Sequence, residues 1–156
     1  MTTAPNKQDV DTIVEREFEE WAKQRGLNPA YPVFANTRPW NELILRGVRK
    51  FKTISFPWKY RGVVYLYDTK GNADEDGAEW ASNRKVEISR EFGFPGCIVG
   101  TVEVYGCRAH PDTETGADFE ILLRDPQRMT AVPFKYTSRG RIARIKGVNR
   151  SLLDDE

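Results

Sequence analysis

Histidine and cysteine are almost missing from this sequence, which holds one histidine, His110, and two cysteines, Cys97 and Cys107, in 156 residues. Without a Cys-x-x-Cys pair the usual zinc ligand sets cannot be assembled, so neither a metal nor another cofactor is expected. The two cysteines fall in one segment that reads as extended, where roughly 3.3 Å per residue keeps them beyond disulfide reach, and free thiols follow. No apolar run approaches the roughly 18 residues of a membrane span, and Met1 to Lys7 lack the apolar core of a secretion signal. The expectation is a cytoplasmic protein with no membrane partner. Internal repeats, linkers and low-complexity tracts are also lacking, and the formal net charge is only +1.

What is present is a chain long enough for one compact domain, since this length buries roughly 68–70% of the surface its unfolded form exposes. The small net charge hides an uneven distribution. Between Tyr31 and Arg61 lie seven bases, Arg38, Arg46, Arg49, Lys50, Lys52, Lys59 and Arg61, against the single acid Glu42. A second basic block, with Arg139, Arg141, Arg144 and Lys146, follows an acidic middle. Trp40, Phe51, Phe56, Trp58 and Tyr60 are interleaved with the first block, and cations beside flat rings suit a polyanion whose bases stack. Nucleic acid is therefore the expected partner. The plainer alternative is that the charges only solvate the surface while Trp40 and Tyr60 belong to the core.

Periodicity sets out the elements. Asp9 to Arg25 carries Val10, Ile13, Val14, Phe18, Trp21 and Ala22 at helical spacing, which predicts an amphipathic helix docked on the domain. Asn28 to Thr37 reads as a connector. Pro39 and Gly47 bracket a short helix over 40–46, Arg49 to Phe56 alternates like a strand, and Val63 to Tyr67 suits a buried one. A helix is expected over 78–92 and a long strand over 97–107. Shorter strands follow at 119–123, 129–136 and 142–148, the first stopped by Asp125-Pro126. The pattern is α+β, and its short strands suit a small, mostly antiparallel barrel with flanking helices.

Pro39-Trp40-Asn-Glu-Leu-Ile-Leu-x-Gly47, followed by Pro57-x-x-Tyr60-Arg61-Gly62 and an apolar strand, resembles the ASCH domain of the PUA-like superfamily. Gly96 to Cys107 looks like that family's central strand, Leu122-Leu-x-Asp-Pro126 like its Leu-x-Asn-Pro turn, and Pro133 to Gly140 like its closing strands. The resemblance divides the chain into a tail and helix packed on the domain at 1–30, an ASCH-like domain at 31–150 and an acidic tail at 151–156. It implies a PUA-like β-barrel with a cleft that binds RNA. It also implies a possible hydrolase, since relatives include ribonucleases and amidohydrolases acting on an acetylated cytidine. Other PUA-like relatives hold a modified base in an aromatic pocket.

The hydrolytic motif of the family, Gly-x-Lys-x-x-Glu/Thr-x-Arg, is altered here. Read without gaps from Gly47, its positions fall on Arg49, Lys52 and Ile54. Shifted registers pair Lys50 with Thr53, or Lys52 with Ser55, and these four residues are the catalytic candidates. A slip of one residue exchanges the strand faces, so Lys50 and Thr53 share a cleft only across a bulge. Binding asks less than turnover: Arg38, Lys50, Lys52, Lys59, Arg61, Arg139, Arg141 and Arg144 are the candidate phosphate ligands, and Trp58 and Tyr60 the candidate stacking rings. RNA is favoured over DNA by the resemblance. A module that docks a protein through its N-terminal helix is a third reading.

Overall fold

The computed structural model describes residues 19–110, 119–134 and 142–144. Residues 19–24 form the described part of a first helix, α1. There follow β1 (Pro32–Asn36), α2 (Trp40–Leu45), β2 (Phe51–Ile54), β3 (Gly62–Asp68), α3 (Glu75–Ser82), β4 (Cys97–Ala109), β5 (Phe119–Pro133) and β6 (Ile142–Arg144). The start of the helix expected over 9–25, the tail at 151–156, Arg139, Arg141 and Lys146 lie outside the described residues.

The described strands form one sheet in the order β2-β5-β4-β3-β1-β6. Only β1 and β3 run parallel; the rest are antiparallel. The chain between them, through α2 and β2, is long enough for the crossover that a parallel pair requires. The α+β class stands, but the expected closed barrel does not. Closure needs the two edge strands to share a ladder. Here β2 spends its ladder on β5 and β6 on β1, and no pairing joins the two edges among the described residues.

Several boundaries also depart from expectation. The supposed connector holds β1, whose five residues are all buried. Its proline opens the strand, where a missing N–H does little harm. The helix expected over 78–92 ends at Ser82, because Lys85 turns left-handed (φ 62°) and the Val86 N–H bonds back to the Ala81 carbonyl. Asp125-Pro126 does not stop its strand. Arg124 pairs with Glu103 and Gln127 with Thr101, so Asp125 (φ 53°) and Pro126 bulge opposite Val102 and β5 continues to Pro133. A proline inside a bulge removes no ladder bond.

Alternation on β1 and β3 divides the apolar residues between two faces. Val33, Ala35, Tyr65 and Tyr67 join Ala22, Leu27, Ile98 and Phe134 in an outer core covered by α1. Phe34, Val64 and Leu66 join Ile44, Ile54, Val102, Ile121 and Leu123 in an inner core under α2. The bulge between Ile98 and Gly100 explains why β4 supplies Val99 and then Val102 and Val104 to the same side. Gly100 lies so close to β5 that a Cβ there would stand 2.5 Å from the Gln127 carbonyl oxygen.

Glu42 ties α2 to β5. Its carboxylate accepts two hydrogen bonds from Arg128, at 2.6 and 2.7 Å, and one from Arg46 at 2.7 Å. Burial alone would push its pKa up, but the hydrogen bonds and charges of Arg128 and Arg46 outweigh it and hold the carboxyl below its usual range. An acid with a lowered folded pKa contributes stability above its unfolded value, about 4.3 for Glu, and loses it as pH falls through the folded value. Glu42→Gln is therefore expected to lower stability at neutral pH and to flatten the acid limb below about pH 4.3 in urea melts. An unchanged acid limb contradicts this.

Candidate functional site

β2 presents alternate residues to opposite sides. Phe51 and Thr53 share one face, while Lys52 and Ile54 point inward beside Ile121 of β5. Lys52 is thus a lysine on an apolar face, only 7% exposed. A buried ammonium demands a partner, and it donates to Asn36 Oδ1 at 2.5 Å. Asn36 Nδ2 then donates to Asn41 Oδ1 at 2.8 Å, and Asn41 Nδ2 to Asp68 Oδ1 at 2.9 Å. The second Asp68 oxygen accepts the Phe94 N–H at 2.8 Å. Two amides therefore connect a cation to an anion with every donor pointing the same way, an alignment in which each bond polarises the next. Burial raises the Asp68 pKa, opposed by the Phe94 and Asn41 hydrogen bonds and by the charge of Arg38.

Lys52 and Asn36 stand in a cleft of about 480 Å³ whose walls carry Trp40, Arg49, Phe51, Thr53, Ser55, Phe56 and Asp74. Phe56 is 51% exposed at its rim. Arg49 lies 4.3 Å from the Trp40 ring centroid, 4.4 Å from that of Phe51 and 5.2 Å from that of Trp80. This stacked packing, with an Nε hydrogen bond to the Phe51 carbonyl at 3.0 Å, fixes the guanidinium. Burial, assisted by the charge of Arg84, lowers its pKa to about 10, so it stays cationic at neutral pH. Asp74 caps α3 and accepts the Trp40 indole N–H at 2.9 Å, which sets that ring's orientation.

The cleft brings together Lys52, Thr53 and Ser55, but Lys50 is exposed and lines a separate cavity. Trp58 packs on Phe34 and Tyr60, with ring centroids 5.0 and 5.2 Å away. The Tyr60 hydroxyl donates to the Val63 carbonyl at 2.9 Å, and one Arg61 nitrogen donates to the carbonyls of Trp58 and Tyr60. These three residues brace their own loop, beside an exposed Lys59. Arg38 staples together the segments on either side of α3 by donating to the carbonyls of Gly71 before it and Glu91 after it. Arg144 falls in β6.

Four parts of the site escaped the sequence reading: Asn36, Asn41, Asp68 and Asp74. Asn41 and Asp68 carried a usable signal, an amide set between the apolar residues of a short helix and an acid closing an apolar strand. Of the acids that could carry a proton, Glu103 is engaged by Arg124 at 2.9 and 3.1 Å, and Glu114 lies outside the described residues. Glu120 pairs across the ladder with Thr53, is buried, and accepts from Arg108 at 3.0 Å. Among the described residues no group of His, Cys, Asp and Glu could hold a metal ion, and no helix is long and apolar enough to cross a membrane.

No protein-family model matches the chain, and no curated protein matches its sequence. Among solved structures it is similar to a mutant ZmASCH protein from Zymomonas mobilis, with a TM-score of 0.49 and 8% identity over 81% of this chain and 93% of that one.

Proposed function

We propose that this chain is an ASCH-like domain that binds single-stranded nucleic acid, RNA ahead of DNA, by seating a base in the Lys52 cleft. The observation that carries the reading is the buried ammonium at the base of a cleft walled by Trp40, Phe51 and Phe56. A nucleobase is flat and edged with carbonyl and ring-nitrogen acceptors. Aromatic walls receive its faces and the lysine donates to its edge. Exposed Lys50 and Lys59 serve the backbone phosphates. The preference for RNA rests on the sequence resemblance.

Anisotropy titration of labelled single-stranded RNA, single-stranded DNA and duplex tests this. Binding is expected at low salt, strongest for single-stranded RNA and weakening as salt rises. No change with any of the three ends the reading.

Lys52, Thr53 and Ser55 sharing one cleft supports a second reading, hydrolysis by water of an amide on the bound base or of the phosphodiester beside it. Product analysis of the same mixtures decides it: shortened RNA, or acetate released from an acetylated cytidine, both abolished by Ser55→Ala and Thr53→Ala together.

A further inference from the structure

A second cavity, of about 510 Å³, lies on the other side of Arg49 and shares Arg49 and Ile44 with the first cleft. Its remaining walls come from the turn after α2, with Gly47 and Lys50, and from the bulged middle of β4 and β5, with Tyr105 and Arg124. The chemistry of the two spaces differs. The first has a buried cation at its base, whereas the second has an exposed cation at its edge and an exposed ring.

The ring is placed by the fold. The register of β4 on β5 slips between Val104 and Gly106, so Val104 points into the inner core while Tyr105 stands outward and is 45% exposed. Gly106 keeps the slip tight, since a Cβ there would meet the Leu122 side chain at 3.1 Å. Arg124, held by Glu103, lies 4.9 Å from the Tyr105 ring centroid and fixes the ring from one side. With its charge met by Glu103, Arg124 orients the ring and leaves phosphate contact to others. Lys50 is that other group. Its carbonyl accepts the Leu123 N–H at 2.9 Å, which anchors its backbone, and among the described residues no carboxylate pairs with its ammonium.

We infer that the second cavity is a subsite for the neighbouring nucleotide of a single strand whose first base occupies the Lys52 cleft. The strand crosses the ridge formed by Arg49, its phosphate meets Arg49 and Lys50, and its second base stacks on Tyr105. The inference rests on the reading of the first cleft as a nucleobase site and adds the direction in which the strand leaves it. Two cations at the ridge suit one doubly contacted phosphate, and a ring that serves no buried contact suits a base face.

Uridine monophosphate and a uridine tetranucleotide separate the two sites when titrated into wild type, Tyr105→Ala, Tyr105→Phe and Lys50→Ala. The tetranucleotide is expected to bind wild type about fivefold or more tighter than the monophosphate, the low end of stacking on one ring. Tyr105→Ala should remove that gain and leave the monophosphate within about twofold, Tyr105→Phe should retain it, and Lys50→Ala should lower the tetranucleotide's salt slope by about 0.7. A tetranucleotide no tighter than the monophosphate, or one unaffected by Tyr105→Ala, overturns the subsite while the first cleft stands. If wild type binds neither probe, the first cleft's reading and the subsite fall together.

Discussion

Lys52→Met is expected to weaken binding of single-stranded RNA by about ten- to a hundredfold, the equivalent of a lost charge-assisted hydrogen bond of roughly 1.5–3 kcal/mol. The protein should nonetheless stay folded, with a stability change of about 1 kcal/mol or less in either direction. Two effects oppose one another. Asn36 Oδ1 loses the donor that now stands 2.5 Å away, and an orphaned buried acceptor costs about 1–3 kcal/mol. Against this, an ammonium only 7% exposed no longer has to be stripped of water, and methionine matches the length of the lysine stem beside Ile54, Ile121 and Phe34. Titration and urea melts on one preparation read both quantities. A variant that binds RNA as wild type does removes Lys52 from the ligand site; one that fails to fold makes the buried lysine a structural strut.

Asp68→Ala should have the larger effect on folding, about 3–5 kcal/mol. It strips the Asp68 acceptors from the buried Asn41 Nδ2 and the half-buried Phe94 N–H. It also breaks the hydrogen-bond chain that runs from Lys52 through the two asparagines at its far end. Asp68→Asn, which keeps the volume and one acceptor, should fall between the two. The decisive measurement is the double variant. If the amide chain couples its ends, Lys52→Met with Asp68→Ala will destabilise less than the two single changes added together. Strict additivity, or an Asp68→Ala effect below about 1 kcal/mol, shows that the ends act independently. The pH response carries the opposite sign to that of Glu42. Because burial raises the Asp68 pKa, its share of stability is greatest when the acid is protonated and is lost as pH rises through the folded value.

Much of the site's raw material could be read along the chain, because β alternation and turn chemistry are local. The period-two pattern over Arg49 to Phe56 puts Lys52 and Phe51 on opposite faces, and the structure keeps that arrangement. Pro39 and Gly47 bracket α2 within a residue, and Gly47 takes the left-handed turn expected of it (φ 76°). What local pattern could not settle was which face lies inward. A lysine in a run with Lys50, Lys59 and Arg61 reads as solvated, yet Lys52 is buried because Asn36, from a strand whose proline and asparagine imitate a loop, accepts its hydrogen bond in the interior. The rings differ too: of Trp58 and Tyr60, the candidate stacking rings, Trp58 packs on Phe34 and Tyr60 packs on Trp58, while Arg49, Trp40 and Phe51 wall the cleft.

By itself the sequence determined a domain of α+β class with a basic, aromatic stretch over residues 38 to 62, because composition and short periods are properties of the chain and survive any arrangement of its elements. The tertiary structure alone decided that the described strands form one sheet whose two edges do not pair, that β5 runs through Asp125-Pro126, and that Lys52, Asn36, Asn41 and Asp68 form one connected path. Each of those depends on contacts between residues distant in sequence, where a bulge of one residue or the choice of a ladder partner reverses which side chains meet.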